Sequence, residues 1–208
     1  SLTLNDSISV TAGNNESLAI DAVGITLNGQ LVNASGAVSL TSTGTADVTL
    51  DEQAINMGTG VLTVTSARDI LASGTDDTAE IEADGDVTLS AQAVGTTTNH
   101  IDVGSSAALS SDSTLSIDNN YNASGDNVFV DVLHDLFSDI SLNSNNGSAT
   151  MDISFASGDV VDVNATDADS GHVVGGLMVA SASSTLAYSI VSDNSSGLFV
   201  IGESSGVI

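Results

Sequence analysis

One short tract recurs at a nearly fixed interval, and that interval limits what the chain can fold into. Leu2-Thr3-Leu4-Asn5 returns as Ile25-Thr26-Leu27-Asn28 and again as Val48-Thr49-Leu50-Asp51, each step being 23 residues. Ile70-Leu71-Ala72-Ser73 follows after 22. A second tract lies within each unit: Leu18-Ala19-Ile20, Val38-Ser39-Leu40, Leu62-Thr63-Val64 and Val87-Thr88-Leu89. Leu115-Ser116-Ile117 and Ile140-Ser141-Leu142 continue it at looser spacing. A period of this length marks a repeat architecture. One unit cannot bury its own apolar stripe, and stacking makes the core continuous.

Within each tract apolar residues alternate with Thr or Ser, which puts one set on each face of a strand. Ile25 and Leu27, Val38 and Leu40, and Val48 and Leu50 are the expected inward residues. Ser, Thr, Asn, Asp and Gly fill the intervals as turn chemistry. The sequence therefore predicts an all-β chain whose residues 1–148 form a β-solenoid (parallel β-helix). Each coil has two or three short strands, and equivalent strands stack about 4.8 Å apart. Thr75 to Glu82 and Gly95 to His100 read as loops leaving the coil. Tandem β-sandwich domains are the alternative for this stretch, because they also give short alternating strands between turns. Val128 to Ile140 is the one patch with helix-like spacing, and it reads equally as a strand.

Charge and composition close off several functions. The chain of 208 residues carries 27 acidic side chains and a single Arg or Lys, Arg68, for a formal charge of −26. Nothing can neutralise nucleic-acid phosphates or dock on an anionic membrane. Without cysteine there is no disulfide framework, no thiolate zinc site and no cysteine nucleophile. No apolar run reaches the roughly 18 residues of a membrane helix. Such a surface repels itself at low salt and is tolerated where salt or divalent cations screen it. That points to a secreted or cell-surface setting. The chain starts at Ser1 and stops within a strand-like tract at Gly206-Val207-Ile208, which suggests a piece of a longer protein.

Tracts such as Gly36-Ala37-Val38-Ser39-Leu40-Thr41 and Ala83-Asp84-Gly85-Asp86-Val87-Thr88-Leu89-Ser90 resemble the β-helical repeats of large bacterial surface proteins of the filamentous-haemagglutinin type. From about Met151 the style changes. Residues 157–171 read SGDVVDVNATDADSG, followed by Leu186-Ala187-Tyr188-Ser189-Ile190, Gly197-Leu198-Phe199-Val200-Ile201 and Gly206-Val207-Ile208. The order and types of these elements resemble the first half of a cadherin repeat. That resemblance implies an incomplete cadherin-like β-sandwich over residues 149–208.

Asp167 and Asp169 alternate on an extended segment or tight loop, with Gly171 allowing the turn. Two hard carboxylates so placed can converge on Ca²⁺, with carbonyls and water completing a shell of about 6–8 oxygens. An EF-hand is excluded, because the twelfth position counted from Asp167 is Met178. The alternative is an Asp-rich turn satisfying its own backbone. By resemblance to cadherins, Asp167 and Asp169 would hold Ca²⁺ at the junction with the preceding domain. The family's upstream Glu is missing here, and Asp152 is the candidate substitute. The family's acidic linker is also absent, and the interval from Gly171 to Tyr188 is longer than usual.

No catalytic constellation stands out. A lyase acting on uronates needs several cations, and Arg68 alone cannot provide them. A glycosidase needs two carboxylates at a set separation. The run Asp76, Asp77, Glu80, Glu82, Asp84, Asp86 offers them but reads as a solvated face. His100, His134 and His172 are isolated, and there is no G-x-S-x-G elbow. The sequence thus predicts a non-enzymatic, extracellular structural or adhesive segment that uses calcium. Its expected partners are other cell-surface proteins, copies of itself, or surface glycans. A self-assembling fibre or surface-layer subunit is the alternative, and a carbohydrate-active β-helix a weaker third.

Overall fold

The computed structural model describes residues 1–10, 16–33, 35–74, 78–104, 113–119, 127–132, 139–144, 151–155, 162–167 and 177–179. These form a parallel β-solenoid, and the strands fall into successive coils. Coil 1 holds β1 (Leu2–Leu4), β2 (Ile8–Val10) and β3 (Leu18–Ala22). Coil 2 holds β4 (Ile25–Leu27), β5 (Leu31–Asn33) and β6 (Val38–Ser42). Coil 3 holds β7 (Val48–Leu50), β8 (Ile55–Met57) and β9 (Leu62–Ser66). Coil 4 holds β10 (Asp69–Ala72), β11 (Ile81–Ala83) and β12 (Val87–Ala91). Coil 5 holds β13 (Ala93–Val94), β14 (Ile101–Gly104) and β15 (Thr114–Asn119). Then come β16 (Val128–Val132) with β17 (Asp139–Ser144), β18 (Met151–Phe155) with β19 (Asp162–Asp167), and finally β20 (Leu177–Val179).

Every strand pairing among the described residues is parallel, and the register follows the repeat read from the sequence. Leu2 pairs with Ile25, Ile25 with Val48, and Val48 with Ile70. The second tract stacks as Leu18, Val38, Leu62, Val87, Leu115 and Ile140. A third column, Ile8–Leu31–Ile55–Ile81–Val103, completes each of the first five coils. Inward residues are buried and their neighbours half-buried, as in Val38–Ser42 and Leu62–Ser66. Leu27, Leu40, Leu50, Leu62, Val64 and Leu89 are fully buried in one continuous core. Burying each such side chain contributes about 1.5–3 kcal/mol.

The cross-section changes at β16. Its Val128 pairs with Val94 of β13, while Val130 to Val132 pair with Ile101 to Val103 of β14. Two columns of strands therefore converge on one strand, giving a single sheet ordered β1-β4-β7-β10-β13-β16-β14-β11-β8-β5-β2. The second sheet is the column β3-β6-β9-β12-β15-β17-β19. Gly95 to His100 loops out between the two partners of β16, as the sequence suggests. Gly95 takes φ +69°, and a Cβ there would collide with the Phe129 carbonyl oxygen.

One sequence expectation changes: Thr75 to Glu82 is not all loop, because Ile81–Ala83 is strand β11. In the patch that reads as helix or strand, Val128–Val132 is a strand. Its alternating inward residues Val128, Val130 and Val132 fit the columns they extend. Beyond residue 149, β18 pairs in parallel with β16, and β19 in parallel with β17. Val163 aligns with Ile140 and Ala165 with Leu142. Among the described residues this stretch prolongs the solenoid sheets and forms no separate sandwich. The tract 157–171, which resembles part of a cadherin repeat, thus contributes Asp162–Asp167 to the smaller solenoid sheet.

The coil corners are built on close backbone approach and on polar ladders. Gly36, Gly60 and Gly85 stack at one corner, where a Cβ on Gly36 would overlap the Glu16 carbonyl and one on Gly60 the Gly36 carbonyl. Asn33 is fully buried nearby; its Nδ2 donates to the Glu16 carbonyl at 3.1 Å, and its Oδ1 accepts from Gly36 N–H at 3.1 Å. Ser42, also buried, donates its hydroxyl to the Ala46 carbonyl at 2.6 Å. Buried polar groups at the bends are thereby satisfied, as a compact interior requires.

Candidate functional site

The sequence-derived calcium ligands do not come together in the described part of the chain. Asp152 lies on β18 in the larger sheet, Cα-paired with Phe129. Asp167 is the last residue of β19 in the other sheet, paired with Ser144. Asp169 lies outside the described residues, as do Gly171, His134, His172 and the tracts from 181 onward. No group of three or more His, Asp or Glu side chains among the described residues is arranged to hold a metal ion.

The most unusual cluster is one the sequence reading passed over. Ile81 of β11 pairs with Val103 of β14, so Glu80 aligns with Asp102 on the next coil. Asp102 in turn pairs with Asp131 of β16. Three consecutive coils thus present Glu80, Asp102 and Asp131 in one column. Glu80 is 2% exposed and Asp102 6% exposed. The Asp102 backbone N–H donates to Glu80 Oε2 at 2.7 Å. His100 Nδ1 lies 2.9 Å from Asp131 Oδ1, and its ring sits 5.5 Å from that of Phe129.

Burial pushes the Glu80 carboxyl up from 4.5 to about 7. The hydrogen bond from Asp102 N–H works against this, and the negative charges of Asp102 and Glu52 add to it. The contacts of Arg68 are with other residues. Its guanidinium donates to the Thr45 carbonyl at 3.1 Å and lies 3.5 Å from Asp47 and 3.7 Å from Asp69. Around the corner from Glu80, Asn56 Nδ2 donates to Glu82 Oε2 at 2.8 Å, tying coils 3 and 4.

The acidic run 76–86 is therefore not uniformly solvated. Glu82 and Asp84 are half-buried and Asp86 is exposed, but Glu80 is interior. The signal that would have found it is the third strand column. Once Ile55, Ile81 and Val103 are aligned, Glu80 and Asp102 fall side by side. Chemically, the column can hold a proton and polarise an amide. Among the described contacts of His100 are Asp131 and Phe129, and no serine hydroxyl completes a nucleophilic triad there.

No family model matches the chain, and neither a curated protein nor a solved structure matches it.

Proposed function

We propose that the chain is a non-catalytic, load-bearing segment of a secreted or cell-surface protein, a solenoid stalk that spans distance and presents or joins adhesive parts. The observation that carries this reading is the unbroken register of the stack. The column from Leu18 through Leu115 to Ile140 continues into Val163. Each coil of about 23 residues lengthens such a rod by roughly 4.8 Å, and neighbouring coils are joined by both main-chain bonds and core. The acidic, Lys-free surface supports an extracellular setting, where salt screens its charge. Antibody labelling of intact producing cells tests the location. Label on unpermeabilised cells is the expected result, and label only after permeabilisation overturns it.

The resemblances to filamentous-haemagglutinin repeats and to cadherins support an adhesin. In that reading Asp167, Asp169 and Asp152 contribute to a Ca²⁺ site that stiffens the downstream junction, and the partners are surface proteins, glycans or further copies. Equilibrium dialysis of the full chain against millimolar Ca²⁺ tests this. Binding that disappears in Asp167→Asn/Asp169→Asn supports it, and no binding removes calcium while leaving the stalk.

A self-assembling fibre is the second reading. Parallel strands stacked in register, as in the Leu18–Val38–Leu62 column, use the same main-chain pairing by which strand edges join separate copies. Concentration-dependent filaments that persist in chelator favour this reading.

A further inference from the structure

Three acidic residues stacked at coil spacing are costly. Like charges directly opposite across strands repel, and a buried charge loses its hydration. Elsewhere in proteins a neighbouring cation usually offsets this. Here Lys is absent, and Arg68 is held by Thr45, Asp47 and Asp69. His100 is paired with Asp131, at the far end of the column from Glu80. Among the described residues no basic side chain pairs with Glu80. The groups facing it are Asp102 from coil 5, through both its amide and its carboxylate, and Glu52 from the turn of coil 3. Its own carbonyl accepts from Ile55 N–H, so its backbone is fixed in the stack.

We propose that Glu80 carries a proton in the folded chain and that this proton acts as a latch: while it is held, coils 4 and 5 stay stacked at Ile81 and Val103, and its loss loosens the stack at that level. The latch sits immediately before the level where β13 and β14 converge on β16. The segment is then stiffer in acidic surroundings and gains one compliant point as the pH reaches neutral and above. The sign follows from proton linkage. Glu80 holds its proton up to about pH 7 when folded, against an ordinary value of 4.5 when the level opens and the side chain is solvated. Between those values the closed form binds more protons than the open form, so closure weakens as pH rises.

Native-state hydrogen exchange of the full chain, in high NaCl and corrected for intrinsic exchange rates, tests this at about pH 5.5 and about pH 7.5. The opening constant for amides of Ile81–Ala83 and Ile101–Gly104 is expected to rise up to about twentyfold between these conditions. Amides of Ile25–Leu27 and Val38–Ser42 should show no such rise. Glu80→Gln keeps the shape without the titration and should abolish it. His100 and Asp131 are unchanged in that variant, so a rise that persists in it overturns the proposal. A carboxyl carbon-13 titration of Glu80 in the native chain is independent of any variant. A midpoint near 7 supports the latch, and one near the ordinary carboxylate value overturns it.

Discussion

Asn28 Nδ2 donates to Asn5 Oδ1 at 2.9 Å, linking the same corner of two consecutive coils. Two coils further on, Ser73 Oγ donates to Asp51 Oδ1 at 3.0 Å. Asn5, Asn28, Asp51 and Ser73 are thus a polar ladder along the stack, built from the residue that follows each first-column strand. The ladder is exposed, so each rung competes with water and contributes modestly. Asn28→Ala should lower unfolding stability by about 0.5–1 kcal/mol. Urea denaturation followed by circular dichroism measures it, and a gain in stability would show that the rung is unimportant.

The glycine corner gives a stronger effect. At Gly60 an added Cβ meets the Gly36 carbonyl and the backbone of Ser35, neither of which can turn aside. At Gly74 it meets the side chain of Glu52, with Cγ at 2.7 Å and Oε1 at 2.8 Å. That side chain can swing away. Gly60→Ala is expected to cost about 1–3 kcal/mol, in the range of overpacked sites. Gly74→Ala should cost well under half as much. Equal losses in parallel melts would contradict the stacking described for Gly36 and Gly60.

Asn33 occupies an inward position that Met57 and Ala83 take on the next two coils. Space is therefore not what fixes asparagine there. Its carbonyl oxygen accepts from Gly36 N–H, and its amide donates to the Glu16 carbonyl. Asn33→Ala leaves the buried Gly36 N–H without that acceptor and should cost about 1–3 kcal/mol. Asn33→Met fills the space but not the bonds, so it should recover only part of the loss.

Two of the three strand columns are legible in the sequence because their outward residues are mostly Thr or Ser, as in Val48-Thr49-Leu50 and Leu62-Thr63-Val64. The third column is hidden. Leu31-Val32-Asn33 has an apolar residue outward and a polar one inward, and Ile101-Asp102-Val103 is buried on every residue. Its members satisfy position-specific needs, a corner cap at Asn33 and the buried acid column at Asp102, and these override the alternation. The step from Val94 to Val128 also breaks the period, so the convergence on β16 could be seen only once both pairings were known. The candidate site was missed for the same reason. Glu80 lies in an acidic run whose members differ only in the coil position that sets their burial.

The stack also predicts that apolar deletions cost very different amounts within a single coil. Leu50 is fully buried, with Leu27 beside it on the preceding coil and Ala72 on the following one. Val61, immediately before β9 in the same coil, is 45% exposed. Leu50→Ala removes a side chain whose surroundings are held by main-chain bonds to both neighbouring coils and cannot collapse. A loss of about 2–5 kcal/mol is expected. Val61→Ala removes largely solvated surface and should stay within about 0.5 kcal/mol. Urea transitions of the two variants measure the difference. Equal losses would show that Leu50 is not enclosed by its two neighbouring coils.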